Sequence, residues 1–197
     1  MKRGARGRGR GTTAAVFLLS LVVWLGSAAC GNSSPTAPGP PLPPPPAVIT
    51  FTRESPTPGA NVIDLDLMSS TAIEFTLTLD ASLVTDLFGY GLDLVYDPQV
   101  IAFAGFEAGA FLDGEGITVT ILVSEPQPGT VVIGGSRVGA VAGASGSGTL
   151  LVLGFTAVTA GKSTISIDNA GAFDNTGAEI ALEFFGGEVN VPGTSTR

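Results

Sequence analysis

Residues 88–101 read Phe88-Gly-Tyr90-Gly91-Leu-Asp93-Leu-Val-Tyr96-Asp97-Pro98-Gln-Val-Ile101. Phe88, Tyr90, Leu92, Leu94 and Tyr96 occupy alternate positions, opposed by Gly89, Gly91 and Asp93. A period of two marks a strand with one buried face. Asp97-Pro98 should end that strand in a tight turn. The proline ring presets φ, and the aspartate carboxylate can accept nearby backbone N–H groups. A second strand is expected directly after it, over 100–106.

The same period extends to both sides. In Thr71–Asp80, Ile73, Phe75, Leu77 and Leu79 point one way, and Glu74, Thr76, Thr78 and Asp80 the other. Ile117, Val119, Ile121 and Val123 repeat the pattern. Further strands are expected over 48–53, 61–65, 130–136, 149–158, 163–168 and 179–191. Turn-forming residues separate them: Pro126-Gln127-Pro128-Gly129, Ala160-Gly161-Lys162 and Asp174-Asn175-Thr176-Gly177. Gly134–Gly148 holds six glycines in fifteen residues and reads as a loop. Phe155, Phe173 and Phe184 read as core, and Gly186-Gly187 as a bulge. No helical window stands out. Nine or so short strands imply an all-β, two-sheet antiparallel sandwich.

What precedes this region differs in composition. Lys2, Arg3, Arg6, Arg8 and Arg10 lie ahead of an apolar run, Ala14–Leu25. That run is short for a membrane span, which needs about 20 residues, and suits an export signal. Gly26-Ser27-Ala28-Ala29-Cys30 closes it and resembles the lipobox of bacterial lipoproteins, with Ser27 where a Leu is usual. That resemblance implies cleavage after residue 29 and acylation of Cys30. Gly31 rather than Asp follows the cysteine, which by that family's sorting rule implies the outer membrane or cell surface in a diderm cell. Residues 31–47 carry eight prolines, cannot form a core, and read as an extended tether. The expected organisation is a signal peptide over 1–29, a lipidated Cys30 and tether over 30–47, a sandwich over 48–192, and a tail over 193–197.

Charge and composition restrict function. The chain carries nine basic and 17 acidic residues and no histidine. From Cys30 onward four basic residues face all 17 acids, a net charge of −13. Such a body repels phosphate backbones, so no nucleic-acid partner is expected, and membrane attachment should come from the lipid alone. Without histidine there is no Ser-His-Asp triad and no His-ligated zinc, and one cysteine forms no internal disulfide. Asp168 to Glu179 has the span of an EF-hand loop, yet Ala170, Ala172 and Phe173 stand where ligands and a glycine are needed. No metal site, no cofactor and no catalysis are expected.

Four segments together are similar to cohesin domains. Gly91–Ile101 resembles their strand ending in Tyr-Asp-Pro, followed by an aliphatic strand. Gly148-Thr-Leu-Leu-Val-Leu-Gly-Phe155-Thr-Ala157 is similar to their G-x-L-x-x-I-x-F-x-A strand. Gly171-Ala-Phe173-Asp174-Asn-Thr-Gly177-Ala-Glu-Ile180 resembles their GAF-D-x-x-G-x-x-I segment, and Phe185–Val191 their closing x-G-G-x-V-x-V strand. The resemblance spans about 48–192.

It implies a nine-stranded jelly-roll sandwich that binds dockerins, calcium-dependent helical modules borne by polysaccharide-degrading enzymes, on one flat sheet face. Calcium, where involved, belongs to the partner. Cellulosomal members place an Asn/Asp pair before Tyr-Asp-Pro; here Gly89-Tyr90-Gly91 stands there, and Asp93 is the nearest outward polar residue. The candidate partner-binding face is accordingly Asp93, Glu74, Thr76, Thr78 and Tyr90. The expected partner is a protein, either dockerin-bearing or another envelope component. Direct polysaccharide binding through Tyr90 or Tyr96 is one alternative, and a structural or adhesive role in an envelope assembly is another.

Overall fold

A computed structural model describes residues 47–193 apart from Pro56, Pro58 and Glu115. The segment read as an export signal, Cys30 and most of the expected tether lie outside the described residues. Eleven strands form: β1 (Thr50–Arg53), β2 (Val62–Ser70), β3 (Glu74–Leu87), β4 (Gly89–Val95), β5 (Ile101–Ala108), β6 (Thr118–Gln127), β7 (Thr130–Val138), β8 (Ala144–Ala157), β9 (Gly161–Phe173), β10 (Glu183–Phe185) and β11 (Gly187–Val191). They make a six-stranded sheet, ordered β1-β11-β9-β4-β7-β6, and a five-stranded sheet, ordered β10-β2-β3-β8-β5.

The alternation read from the sequence builds the core. Phe75, Leu77 and Leu79 of β3 and Leu151, Leu153 and Phe155 of β8 face Leu92 and Leu94 of β4 and Val131 and Ile133 of β7, all buried. Each large apolar side chain buried in this way contributes roughly 1.5–3 kcal/mol. Phe155 stacks on Phe75 at 5.3 Å and takes Tyr96 and Phe103 edge-on at 5.6 and 5.7 Å. Edge-to-face pairs add roughly 0.5–1.5 kcal/mol beyond burial.

The Tyr-Asp-Pro turn holds Tyr96 in that cluster. The Asp97 carboxylate accepts the Gln99 N–H at 2.9 Å, its carbonyl accepts those of Val100 and Ile101, and its own N–H donates to Ser163. The Tyr96 hydroxyl donates to Glu125 and accepts the Phe103 N–H at 3.2 Å. Arg53 also joins the sheets, pairing from β1 with the buried Asp64 and with Asp66, at 3.0 Å, on β2.

Several expectations change. Thr71–Asp80 is not one strand. The Thr71 hydroxyl accepts the N–H groups of Ile73 and Glu74, which turns the chain and leaves Ile73 67% exposed ahead of β3. The glycine-rich stretch is mostly strand: Gly134 and Gly135 pair within β7, and Gly146 and Gly148 within β8. Residues 179–191 divide at Gly186 into β10 in one sheet and β11 in the other. A Cβ at Gly186 would overlap the Ile165 carbonyl, so only glycine fits that crossing. The pairing is antiparallel except between β10 and β2, which run parallel. Phe173 is not core; it is 45% exposed.

Burial, reinforced by the bond to Glu125, pushes the Tyr96 hydroxyl up to about 12 from its ordinary 10. The folded state holds this proton more tightly than the unfolded chain. Its contribution is therefore complete below pH 10 and is lost as pH rises from about 10 to about 12. Urea midpoints measured between pH 8 and 12 should fall over that interval, and the Tyr96→Phe variant should show a shallower decline.

Candidate functional site

The structure separates the five residues expected to share a face. Asp93 lies on the outer surface of the six-stranded sheet. Glu74, Thr76 and Thr78 lie on β3, on the outer surface of the five-stranded sheet, at the opposite side of the sandwich. Thr76 bonds Ser69 and Thr78 bonds Asp80, so both hydroxyls are occupied within their own sheet. Tyr90 points inward and is 5% exposed; its hydroxyl has no partner among the described residues, and burial raises its pKa. Phe88 is where the chain crosses between sheets, so the residues before and after it display opposite outer surfaces.

Around Asp93 the six-stranded sheet presents a flat surface. Gly91 pairs with Gly134 on one side and Gly171 on the other, and Gly134 pairs with Leu122 on β6. Three strands thus carry no side chain of their own in this row, and the Phe173 ring leans over Gly171. A Cβ on Gly91 or Gly134 would meet only a carbonyl oxygen at 3.8 Å, and one on Gly171 the Phe173 ring at 3.6 Å, all ordinary contacts. Packing does not require glycine at these three positions, although glycine inside a strand costs roughly 0.5–1 kcal/mol relative to alanine. Gly135 is different: a Cβ there would strike the Tyr90 ring.

The next row is polar. Asp93 lies between Val132 and Asp168. A register shift in β9 places Asn169 in the left-handed region at φ 48, and its amide donates to the Asp93 carboxylate at 2.7 Å. Carboxylates directly opposite on neighbouring strands repel, and the Asn169 amide offsets part of that repulsion. On the side of the glycine row away from Asp93, Phe88, Ser136, Phe173 and Asn175 rim a depression of about 360 Å³ that includes Gly91. The Asp174 carboxylate accepts three bonds from Thr176 and Ala178, which hold the rim turn and lower its pKa. Asn169, Gly134 and Gly171 escape a motif reading, since their juxtaposition depends on the register of β4 between β7 and β9.

Among the described residues no cluster of three His, Cys, Asp or Glu side chains could hold a metal, and no helix is long and apolar enough to cross a membrane. The tyrosines considered as sugar platforms are both buried.

This architecture is that of cohesin modules. It is similar to the second type II cohesin module of the adaptor ScaA scaffoldin of Acetivibrio cellulolyticus, with 17% identity, a TM-score of 0.59, and coverage of 71% of this chain and 95% of that one. The sixth cohesin of scaffoldin B from the same organism, solved in complex with a mutant Cel5 dockerin, has 14% identity and a TM-score of 0.55, covering 68% and 99%. A non-cellulosomal cohesin from the archaeon Archaeoglobus fulgidus has 13% identity and a TM-score of 0.50, covering 66% and 89%. No family model and no curated protein matches the chain. The chain therefore has the cohesin fold.

Gly134→Ala should leave thermal stability unchanged or raise it by a few tenths to about 1 kcal/mol, because the strand accepts a Cβ there. Gly135→Ala should cost about 1–3 kcal/mol by displacing Tyr90. Paired thermal melts of the two variants check this; equal losses would mean that the exposed glycine is needed for folding.

Proposed function

We propose that this chain is a non-catalytic cohesin-type module, lipid-anchored in the cell envelope, which captures a dockerin-type protein on the outer surface of its six-stranded sheet. The observation that carries the reading is the likeness to cohesin modules solved in complex with dockerins. The glycine row fits it: Gly91 and Gly134 carry no side chain, which lets a partner's backbone or helix approach closely. Asp93 and Asp168 supply carboxylate acceptors beside that row, suited to a partner that offers cationic or amide donors. A link to polysaccharide breakdown follows if the captured dockerin belongs to a degrading enzyme.

Binding of full-length protein to a panel of purified dockerin modules, by calorimetry, tests capture. One or more should bind in calcium and be released by chelator, because the calcium belongs to the dockerin. Gly91→Gln with Gly134→Gln should weaken binding at least tenfold without lowering the melting temperature. Binding indifferent to both chelator and these substitutions would refute the dockerin reading and favour an envelope partner of another kind.

The anchor rests on the lipobox-like residues before Cys30. Mass spectrometry of the protein recovered from cells should find an N-terminal Cys30 carrying acyl chains. An unmodified Cys30 would remove the anchor from this reading while leaving partner capture untouched.

A further inference from the structure

We infer that β6 is a strand-addition edge, and that its occupant is the β6 of a second copy of this chain, paired antiparallel about Ile121. β6 ends the six-stranded sheet, and among the described residues β7 is its only strand partner. Among the described residues, no backbone group of Thr118–Ser124 is bonded outside that ladder. One row of N–H and C=O groups is therefore open along seven residues. Exposed sheet edges are ordinarily blunted by shortness, bulges, prolines or charges. The other three edges follow that rule. β1 has four residues and ends in the ion-paired Arg53, β10 has three, and β5 is interrupted by a register shift at Gly105, whose φ is 145. In β6 the register shift and Pro126 come only after Ser124. The stretch Thr-Val-Thr-Ile-Leu-Val-Ser before them carries no charge.

The choice of a second copy rests on register and charge. About Ile121, the seven uncharged residues pair only with one another. Val119 meets Val123, Ile121 meets Ile121, Thr118 meets Ser124 and Thr120 meets Leu122, and every pair lies on one face. Val119, Ile121 and Val123 already lean on the core while only partly buried, so a neighbouring strand would complete their burial. Leu122, 62% exposed, would gain cover from Thr120 of the other copy. Two bodies of net charge −13 repel almost everywhere else. At this edge the one carboxylate, Glu125, is turned back to accept its own Tyr96 hydroxyl and Gly129 N–H, and the two copies of it fall at opposite ends of the paired segment. The product is one continuous sheet from two protomers. Its glycine surfaces lie side by side and stay open, so self-pairing and partner capture can fail independently.

Sedimentation of the full-length chain in mild detergent tests the pairing. The wild type should form a concentration-dependent dimer, favoured by added salt because the bodies share their sign. Thr120→Lys with Leu122→Lys places ammonium groups opposite one another across the pair, and Thr120→Glu with Leu122→Glu does the same with carboxylates. Each double variant should weaken self-association at least tenfold, and mixing the two should restore a heterodimer. A wild type that stays monomeric up to roughly millimolar concentration, or double variants that dimerise as well as wild type, would overturn the proposal. Should a variant misfold, amide exchange in wild-type β6 at low and high concentration decides: protection that rises with concentration supports the pair, and equal exchange refutes it.

Discussion

The Phe155 ring joins the two sheets. It receives Phe75 and Phe103 from its own sheet and Tyr96 from the end of β4 in the other. Asp97-Pro98 turns the chain immediately after Tyr96, and the Tyr96 hydroxyl donates to Glu125, which together hold the ring there. The Tyr-Asp-Pro sequence is thus a packing device: one residue anchors the sheet contact, the next caps the turn with its carboxylate, and the third fixes the backbone angle. With the sheets held together at this point, the inward rows of β3, β8, β4 and β7 have a common space to fill.

The same division of labour runs through the glycines. Gly135 yields to the Tyr90 ring and Gly186 to the Ile165 carbonyl, so both serve the interior. Gly91, Gly134 and Gly171 serve no interior contact, and their row lies next to Asp93 on the outer surface of the six-stranded sheet. A sandwich needs only its inner faces for stability, which leaves its outer faces and edges free to carry recognition.

Most of the fold was legible because a buried strand face must alternate, and Phe75 to Leu79, Tyr90 to Tyr96 and Val131 with Ile133 all do so. The readings that failed share a cause. Ile73 fits the alternation by position, but the Thr71 hydroxyl turns the backbone before it can join β3. Phe173 reads as core by its chemistry, but it closes β9 on the outer rim. The glycines of 134–148 read as loop because glycine favours turns, yet cross-strand pairing overrides that preference.

The amino-acid order by itself determined an all-β sandwich, its principal turns, its core rows and its acidic, histidine-free chemistry, because each of these depends on residue type and spacing along the chain. Only the tertiary structure decided which outer face each strand displays. Crossing at Phe88 puts Glu74, Thr76 and Thr78 on one side of the molecule and Asp93 on the other. Alternation specifies inward or outward, but not to which of two sheets a strand belongs; that is settled by hydrogen-bond partners far apart in the chain, 132 residues in the case of Glu54 and Gly186.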